Sequence, residues 1–368
     1  MKIPDLPTPC LILDRARLLH NIDAMAETLA RHAVPLRPHM KTAKSIDVAR
    51  LVLAGQPGGI TVSTLAEAEY FSAHGLTDIL LAVGITPKKL EQVAKLNAAG
   101  ADILVITDDS HIALAIASHA TPPRTLIEID TGEGRGGIAP EDDALLELAQ
   151  KLGANLAGVM THAGHSYAGR SPAELAGIAE VERSGCVRAA QRLRDAGHAC
   201  TIVSVGSSPT ARHAVGFQGV TEIRAGVYMF GDLFQAGIGT HTVDDIAMTV
   251  LASVIGSRIN AEGAGRLVVD AGALALSKDR STEAAPKDYG YGLVLNIAGE
   301  RAFGDACIGR AYQEHGVIEF SGDLFDLPVG GYVRIAPNHA CLTAAAHDRY
   351  FVVEGDEVVA VWPRVNGW

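Results

Sequence analysis

Residues 36–44 read Leu-Arg-Pro-His-Met-Lys-Thr-Ala-Lys, in which residues 36–41 are a short strand-like run that ends in His39 and Lys41. Comparable runs rich in Ile, Val and Leu, with helix-like segments between them, recur at residues 59–64, 78–83, 102–106, 125–130, 156–162, 200–206 and 221–228. Continuous apolar runs are typical of parallel strands covered on both faces. Eight such strands alternating with helices predict an α/β fold, a (β/α)8 TIM-type barrel. A doubly wound open sheet is the alternative, but it usually has fewer strands.

The pattern changes near residue 246. From there to residue 368, polar and apolar residues alternate with frequent glycine, and helical periodicity nearly vanishes. We therefore predict a barrel over residues 11–245 and a separate β-rich C-terminal domain over residues 246–368. Residues 1–10 are assigned to the second domain, because the apolar run at residues 10–14 precedes the first barrel helix and could pair with that domain.

Composition narrows the class of protein. Of the 368 residues, 20% are charged and 48% are hydrophobic, and the formal net charge of −11 offers no basic surface for nucleic acid. The five cysteines are odd in number and widely spaced, which argues for a reducing compartment. The N-terminus lacks the apolar core of a signal peptide, and no uninterrupted apolar run reaches transmembrane length. These features predict a soluble cytoplasmic protein with no nucleic-acid or membrane partner.

Lys41 stands where the first predicted strand ends. Active sites of such barrels lie at the C-terminal ends of the strands, so an amine held there can form a Schiff base with a carbonyl cofactor. A lone lysine is more often a surface residue. Here, however, the ends of other strands are also rich in polar groups and glycine, at residues 130–137, 161–167, 206–210 and 224–228.

The run Gly206-Ser207-Ser208 opens a short predicted helix after the seventh strand. Backbone amides at a helix N-terminus, with hydroxyls beside them, suit a phosphate, although serine is also an ordinary helix cap. Together with Gly226 and Val227 from the next strand, this run predicts a phosphate site made of two loops, the usual place for one in this fold.

Glycines at positions 132, 134 and 137 match the dinucleotide fingerprint G-x-G-x-x-G. They follow the fifth strand of a barrel and enclose Arg135, so we reject the Rossmann interpretation. We predict instead that Arg135 is a fixed cation near an anionic oxygen of the cofactor. A surface arginine in a loop is the competing interpretation.

His339 and Cys341 lie two residues apart at the end of a strand-like run in the second domain. In an extended segment such residues point the same way, so an imidazole and a thiolate could share one metal. Sulfur with nitrogen favours zinc over magnesium or manganese, and two protein ligands would leave positions open for water or substrate. From the spacing alone, a packed thiol beside a hydrogen-bonded histidine is the better interpretation.

Taken together, these motifs resemble the fold-type III pyridoxal phosphate enzymes, the alanine racemase type. The narrower branch that they resemble contains D-serine dehydratase, D-threo-3-hydroxyaspartate dehydratase and D-threonine aldolase. The similarity extends nearly from end to end, through Arg-Pro-His-Met-Lys-Thr (37–42), Thr-His-Ala-Gly-His-Ser-Tyr (161–167), Val-Ser-Val-Gly-Ser-Ser-Pro-Thr (203–210), Glu-Ile-Arg-Ala-Gly-Val-Tyr (222–228), Gln-Glu-His-Gly (313–316) and Pro-Asn-His-Ala-Cys (337–341).

The resemblance implies that Lys41 carries pyridoxal 5'-phosphate, that Arg135 contacts its ring hydroxyl and that Tyr167 lies against its ring. Arg224 matches the racemase arginine that faces the ring nitrogen, and His162 is assigned to the same cofactor site. The phosphate would be held mostly by backbone amides, at Gly206, Ser207, Gly226 and Val227.

The resemblance also implies that His339 and Cys341 bind a divalent metal beside the β-hydroxyl of the substrate, with zinc first and manganese or another ion as alternatives. Together with Lys41 they would be the catalytic residues. A β-carboxylate on the substrate would need a cation near the metal, and the candidates are Lys278, Arg310 and Arg334.

Two departures exclude a plain racemase. Racemases use a tyrosine near the start of the β-domain as a second base, whereas residues 269–273 here read Val-Asp-Ala-Gly-Ala. Glu128 stands where racemases commonly have a lysine. Within the branch, aldolases resemble His-x-Asp at the metal and dehydratases resemble His-x-Cys, so Cys341 favours dehydration.

The expected activity is therefore that of a lyase, dependent on pyridoxal phosphate and zinc, which eliminates water from a D-β-hydroxy amino acid. The substrate would be D-threo-3-hydroxyaspartate or D-serine, and the products a 2-oxo acid and ammonia. The alternative is a retro-aldol cleavage to glycine and an aldehyde. A non-catalytic pyridoxal phosphate carrier ranks third, because such carriers lack a second β-domain. The resemblance further implies a homodimer.

Overall fold

The computed structural model describes residues 1–56, 58–260, 264–321 and 327–368. The chain divides into two compact units. The barrel unit comprises Met25–Gly226 and Val365–Trp368, and the β-rich unit comprises Met1–Ala24 and Val227–Arg364.

Strands and helices alternate through the barrel unit, whereas strands predominate in the β-rich unit. In chain order the strands are β1 (Cys10–Asp14), β2 (Leu36–Pro38), β3 (Ile60–Val62), β4 (Asp78–Gly84), β5 (Asp102–Thr107), β6 (Thr125–Glu128), β7 (Leu156–Met160), β8 (Ile202–Val205), β9 (Glu222–Ala225), β10 (Met248–Ile259), β11 (Ala264–Val269), β12 (Leu293–Leu295), β13 (Ile308–Ala311), β14 (Gly316–Ser321), β15 (Tyr332–Ala336), β16 (Arg349–Glu354) and β17 (Glu357–Pro363). The α-helices are α1 (Arg15–Ala30), α2 (Ile46–Leu53), α3 (Leu65–Ala73), α4 (Pro87–Ala98), α5 (Ser110–Ala117), α6 (Ala144–Leu152), α7 (Pro172–Asp195), α8 (Ser208–His213), α9 (Leu233–Gly237), α10 (Ala273–Leu276) and α11 (Ala340–Ala345).

The barrel unit contains one parallel sheet in the order β2-β9-β8-β7-β6-β5-β4-β3. A parallel bridge between His39, which directly follows β2, and Thr61 on β3 joins the two ends of this sheet and closes the barrel. All eight predicted strands are present, and the predicted fold class is confirmed. Strands β2 and β9 end earlier than predicted, at Pro38 and Ala225; a turn follows β2, and a short 3-10 helix over Val227–Met229 follows β9.

Local sequence explains how the barrel helices end and how the strands pack. Helices α2, α3 and α4 are followed by Gly55, Gly75 and Gly100, whose φ angles of +75°, +88° and +106° lie in a region that glycine enters without steric cost. Buried apolar side chains of the neighbouring strands β4 to β7 form a hydrophobic cluster, which consists of Leu80, Leu104, Ile106, Leu126, Ala157 and Met160.

The β-rich unit is built on a nine-stranded mixed sheet in which β1 lies between β10 and β16. Strand β1 is antiparallel to β10 and parallel to β16. Its side chains Leu11, Ile12 and Leu13 are each at most 1% exposed. The opening strand therefore forms part of the core of this unit, although the rest of the sheet is encoded after residue 247.

The two units divide the chain differently from the predicted ranges. The pairing of β1 assigns residues 11–14 to the β-rich unit rather than to the barrel. The segment after β9 also belongs to the β-rich unit, where the amide of Leu233 donates a hydrogen bond of 3.0 Å to the carbonyl of Pro337. Both boundaries depend on hydrogen bonds between segments that are distant in the chain. Sequence periodicity does not predict such hydrogen bonds.

In the part of the chain that the structure describes, no helix is long and apolar enough to cross a membrane. No disulfide joins any two of the cysteines among the described residues.

Candidate active site

Lys41 lies in a closed turn that directly follows β2. The amide of Lys44 donates to the carbonyl of Met40 at 2.7 Å, and the amide of Met40 donates to the carbonyl of Thr61 on β3 at 2.8 Å. Lys44 adopts a left-handed conformation with φ +47°, which is uncommon outside glycine. Its Nζ pairs with Oε1 of the buried Glu67 at 3.1 Å. The turn is thus fixed on both sides, and the Lys41 side chain projects from it into solvent.

Two neutral histidines accompany Lys41 at this end of the barrel. Burial lowers the pKa of His39 well below its usual range, and the charges of Lys41 and Arg224 lower it further. Burial likewise lowers the pKa of His162 to about 3. Nδ1 of His162 lies 3.0 Å from the carbonyl oxygen of Gly206. Because a carbonyl can only accept, Nδ1 carries the proton and Nε2 is left with a lone pair.

Arg224 on β9 is 3% exposed and is fixed by hydrogen bonds. Its guanidinium donates to Oγ of Ser204, at 2.6 Å, and to the carbonyl of Thr161. Burial lowers the pKa of Arg224, but a guanidinium remains charged in proteins. The predicted residues Lys41 and Arg224 therefore lie close enough to His162 for their charges to lower its pKa further.

Arg135 lies in the glycine-rich loop after β6 and is 58% exposed. Its guanidinium is 3.5 Å from Oε1 of Glu128 and 3.7 Å from Oε1 of Glu133. Burial raises the pKa of Glu128, and the charge of Arg135 opposes that rise. Asp130 accepts hydrogen bonds from two amides of the loop, at 2.9 and 3.2 Å. The loop therefore presents Arg135 as an accessible cation that is held from one side by carboxylates.

The predicted phosphate loop connects β8 to α8. Ser207 caps α8 by accepting from the amide of Thr210 at 3.2 Å, and its hydroxyl lies 2.9 Å from that of the buried Ser166. The amide of Gly206 donates to Glu182 at 3.0 Å, and the amide of Ser207 donates to Oγ1 of Thr210 at 2.9 Å. Both amides thus already have acceptors within the protein, and a phosphate contact through them stays a prediction.

Gly226, the other predicted glycine, ends the barrel unit after β9. A Cβ atom there would lie 2.7 Å from the carbonyl oxygen of His39, so only glycine allows this close approach of two backbones. Val227 follows it as the first residue of the β-rich unit. Tyr167 lies in a short 3-10 turn, with its ring centroid 6.5 Å from that of His162.

These barrel residues fit the cofactor that the sequence predicts. An accessible amine at Lys41 is available for its aldehyde, and the buried hydroxyls of Ser166 and Ser207 offer donors of the kind that a phosphate needs. The close backbone approach at Gly226 leaves the end of the barrel free of a side chain at that point. Neutral histidines add polar contacts without a competing positive charge.

Glu182 on α7, a carboxyl group that is 1% exposed, is not among the site residues that the sequence predicts. One of its oxygens accepts hydrogen bonds from the amides of Ala163 and Gly206. A signal was present, because the buried face of α7 is otherwise apolar: Leu175, Ala179, Cys186, Ala189, Ala190 and Leu193. A charged residue in an apolar stripe is costly unless it is hydrogen-bonded, and it marks a position for closer study.

His339 and Cys341 lie in the β-rich unit. The sequence predicts an extended segment here, but α11 begins at Ala340, so only His339 has extended backbone and Cys341 lies in the first turn of a helix. The two side chains are nevertheless hydrogen-bonded to each other. Burial lowers the pKa of His339, but hydrogen bonds to Asp279 and Cys341 outweigh it and raise the pKa to about 10.

Two carboxylates that the sequence analysis did not identify surround this pair. Oδ2 of Asp279 is 3.6 Å from Nδ1 of His339. Asp232 is 1% exposed and accepts a hydrogen bond of 2.9 Å from the amide of Ala340, between the two predicted ligands. Burial raises the pKa of Asp232 to about 6. Because Asp279 and Asp232 are distant from His339 in the sequence, no local sequence pattern around His339 predicts them.

The imidazole and thiol fit a divalent metal with open coordination positions. Among the described residues no group of three or more His, Cys, Asp or Glu side chains is arranged to hold a metal ion, so a closed structural site is not formed there. An interaction of Asp279 with Nδ1 orients Nε2 of His339 for a metal, as carboxylates do for zinc-binding histidines. Nitrogen and sulfur donors suit zinc.

The three cations considered for a substrate carboxylate have different surroundings. Arg334 is fully buried and donates to Oγ1 of Thr249 at 2.8 Å. Arg310 pairs with Glu319 at 2.5 Å. Lys278 is exposed and directly precedes Asp279 in the chain.

Comparison with known proteins is consistent along the whole chain. The family model described as alanine racemase, N-terminal domain, matches residues 13–233. A second model, described as a putative serine dehydratase domain, matches residues 247–353. The matches cover both the barrel strands and most of the β-rich unit.

Several enzymes are similar over nearly their full length. D-threo-3-hydroxyaspartate dehydratase from Delftia sp. (strain HT23) is 42% identical, over 99% of this chain and 98% of its own. D-serine dehydratase from Dictyostelium discoideum is 29% identical, over 97% and 96%. D-threonine aldolase from Arthrobacter sp. is 30% identical, over 96% and 91%.

A solved structure of the Delftia enzyme is 42% identical, superposes with a TM-score of 0.95 and covers 100% of both chains. Two further structures of a D-threo-3-hydroxyaspartate dehydratase, each with a TM-score of 0.95, are a cysteine-to-alanine variant in the metal-free form and a histidine-to-alanine variant two positions earlier. The chain belongs to the alanine racemase-type family of pyridoxal phosphate enzymes, in the branch that contains D-threo-3-hydroxyaspartate dehydratase and D-serine dehydratase.

Proposed function

We propose that this protein is a lyase that removes water from a D-β-hydroxy amino acid and yields a 2-oxo acid and ammonia, with pyridoxal phosphate and zinc as its cofactors. The observation that carries the proposal is the hydrogen-bonded pair His339 and Cys341, with Asp279 against the imidazole. The similarity to D-threo-3-hydroxyaspartate dehydratase over nearly the whole chain supports it.

Lys41 is the residue that would hold pyridoxal phosphate and then act as the base. When bound, that cofactor supplies an electron sink for a carbanion beside the amino group. The Lys41 amine takes the α-proton of the substrate and retains it at Nζ. Because His39 and His162 are neutral, they add no positive charge beside an amine that must accept a proton. A single base on one face accounts for a preference for one enantiomer.

His339 and Cys341 would hold the metal that assists loss of the β-hydroxyl. A bound divalent ion supplies a Lewis acid for this poor leaving group. Asp279 and Asp232 act on the protein side. Asp279 orients the imidazole, and Asp232 fixes the backbone between the two ligands through the amide of Ala340. The enamine that leaves the enzyme hydrolyses to the 2-oxo acid and ammonia.

We rank D-threo-3-hydroxyaspartate and D-serine as substrates by the sequence identity of the relatives that are named for them. A 42% identical relative acts on D-threo-3-hydroxyaspartate, and 28–29% identical relatives are D-serine dehydratases. We therefore place D-threo-3-hydroxyaspartate first. Its β-carboxylate would need a cation, and the exposed Lys278 beside Asp279 is better suited than the buried Arg334 or the paired Arg310.

Retro-aldol cleavage to glycine and an aldehyde is the second candidate, because an enzyme named D-threonine aldolase is 30% identical. Aldolases resemble His-x-Asp at the metal. The thiol of Cys341 stands at the position where that carboxylate would be, so we favour elimination. A non-catalytic pyridoxal phosphate carrier ranks third, because such a protein would not need His339 and Cys341, the predicted metal-binding pair of the β-rich unit.

Substrate discrimination tests the proposal. The purified protein, supplied with pyridoxal phosphate and zinc, is given D-threo-3-hydroxyaspartate, D-serine and D-threonine in separate assays, with the L enantiomers as controls. Oxaloacetate or pyruvate with equimolar ammonia supports the dehydratase. Glycine with an aldehyde would establish the aldolase instead. If neither pair of products forms, but the protein shows a cofactor absorbance that is lost in Lys41→Ala, the carrier would be favoured.

We propose further that the enzyme is a cytoplasmic homodimer. None of the cysteines in the described part of the chain forms a disulfide, which is consistent with a reducing compartment. Light scattering measured on the purified protein at several concentrations tests the dimer, which a constant monomer mass would contradict.

A further inference from the structure

Glu182 is a buried carboxyl group that the proposed mechanism does not use. It lies in the middle of α7 and is 1% exposed. A carboxyl group in such a place lowers stability unless its oxygens receive hydrogen bonds. The partners of Glu182 therefore indicate why the helix carries it.

Both amide partners of Glu182 lie at the active-site ends of strands. Oε1 accepts hydrogen bonds from the amide of Ala163, at 2.9 Å, and from the amide of Gly206, at 3.0 Å. Ala163 directly follows His162 after β7, and Gly206 directly precedes Ser207 after β8. One oxygen atom thus joins the loop of the neutral histidine to the predicted phosphate loop.

The peptide groups around Gly206 are held from two directions. Its amide is bound by Glu182, and its carbonyl accepts from Nδ1 of His162 at 3.0 Å. Gly206 has φ +128°, and a Cβ there would lie 2.4 Å from the carbonyl oxygen of Arg224. A backbone in this conformation has few alternatives once its two peptide groups are bound, so the orientation of the following Ser207 depends on these bonds.

A hydroxyl completes the arrangement. Thr210, which caps Ser207 in return, is also hydrogen-bonded to the carboxyl group of Glu182. The carboxyl group therefore contacts both Gly206, two residues before the start of α8, and Thr210 in the first turn of that helix. An apolar side chain at position 182 would continue the buried stripe of α7, but it would leave two buried amides without an acceptor.

We infer that Glu182 is a positioning residue, which pre-organises the phosphate loop at Gly206 and Ser207 together with His162 before pyridoxal phosphate binds. The inference rests on the proposed function only in assigning that cofactor. It predicts an effect on cofactor affinity and on loop protection that does not require any turnover.

Three variants and one control separate positioning from simple stability. Glu182→Ala removes the acceptor, Glu182→Asp shortens its reach by one methylene, and Glu182→Gln keeps an acceptor oxygen without the charge. Glu180→Gln is the matched control, because Glu180 lies on the same helix, is 57% exposed and pairs with Arg183 on the surface. Each variant is compared at a temperature well below its unfolding midpoint.

The first measurement is the dissociation constant of pyridoxal phosphate, obtained by absorbance titration of the cofactor-free protein. We expect a loss of affinity of roughly tenfold or more in Glu182→Ala and Glu182→Asp, because each variant leaves the buried amides of Ala163 and Gly206 without a well-placed acceptor. Glu182→Gln and the Glu180→Gln control should remain within about threefold of the wild type by the same reasoning.

The second measurement is hydrogen exchange of the cofactor-free protein over residues 163–166 and 206–210. Faster exchange of both segments in Glu182→Ala, with other barrel segments unchanged, supports the inference. Unchanged affinity and exchange in that variant, even with a lower melting temperature, would overturn it. A Glu182→Gln variant as weak as Glu182→Ala would also overturn it, because charge rather than the acceptor oxygen would then be responsible.

The two hypotheses fail in different ways. If the wild-type protein does not bind pyridoxal phosphate, the proposed function is wrong. If the wild type binds it and the Glu182 variants bind equally well, only the positioning role is wrong.

Discussion

Asp279 controls which nitrogen of His339 is available to a metal. Its carboxylate lies 3.6 Å from Nδ1, so the opposite nitrogen is the one presented. We predict that Asp279→Asn weakens zinc affinity by roughly 10- to 100-fold, the usual effect of removing such a partner. Zinc affinity is measured by competition with a chelating dye. Asp288→Asn, at an exposed carboxylate paired with Arg280, is the control and should leave the affinity unchanged.

His162 gives the cofactor-free protein a defined sensitivity to acid. Its pKa is lowered from 6.5 to about 3 by burial. Between these two values the unfolded chain binds the proton and the folded one does not, so stability falls as the pH decreases from about 6.5 towards 3. The expected loss is roughly 1–3 kcal/mol, discounted for partial solvent screening.

Urea unfolding of the cofactor-free protein at pH 7 and pH 5 measures this effect. His162→Gln can still donate to the carbonyl of Gly206 but does not titrate, so its stability should depend less on pH. Equal pH dependence in the two proteins would contradict the assignment.

At the residue scale, local motifs in the sequence indicate candidate chemical groups but not the residues that hold them in place. Lys41, Arg224 and the His339–Cys341 pair belong to local motifs, and the structure gives each a defined environment. Asp279 and Asp232 approach His339 from distant parts of the chain, and no periodicity reports such contacts. Glu182 is intermediate, because its charge interrupts an apolar helical stripe although its partners cannot be inferred.

An ion pair with a buried carboxylate holds the turn that contains Lys41. Lys44 pairs with Glu67, which is 1% exposed and also accepts from the amide of Ser63 at 3.0 Å. Lys44→Met would leave a buried carboxylate without its cation. We expect a loss of about 3 kcal/mol in the free energy of unfolding.

The double variant Lys44→Met/Glu67→Gln tests whether the pair is responsible. It removes both charges and keeps an oxygen for the Ser63 amide, so we expect it to recover more than half of the loss. Chemical denaturation of the single and double variants provides the comparison. Strictly additive losses would contradict a direct interaction.

At the element scale, strands were easier to predict than their ends. Most of the eight barrel strands follow from continuous apolar runs, and the helix ends at Gly55, Gly75 and Gly100 follow from the glycines themselves, whose positive φ angles agree. The helix α11 was missed because its six residues are too few for a periodic pattern. Short elements such as this are fixed by capping and tertiary contacts, which local sequence does not reveal.

The whole molecule is built from an interleaved chain. Strand β1 is encoded before the barrel, yet it lies inside the sheet of the β-rich unit between β10 and β16. Its neighbours are more than 230 residues away, since Cys10 lies opposite Leu251 and Ile12 opposite Phe351. The sequence suggested this pairing but assigned residues 11–14 to the barrel, because chain order is a poor guide when a strand crosses between units.

This arrangement makes the start of the chain essential for folding of the β-rich unit. Leu11, Ile12 and Leu13 are at most 1% exposed, and burying each such side chain contributes about 1.5–3 kcal/mol. Their sum is comparable to the whole stability of a typical domain, about 5–15 kcal/mol.

A chain that begins at Arg15 should therefore lose the cooperative unfolding of the β-rich unit, as followed by hydrogen exchange of β10 and β16. A chain that begins at Ile3 lacks only exposed residues and should retain it. Wild-type protection of β10 and β16 in the shorter chain would show that β1 is dispensable and that the sheet is stabilised by its remaining strands.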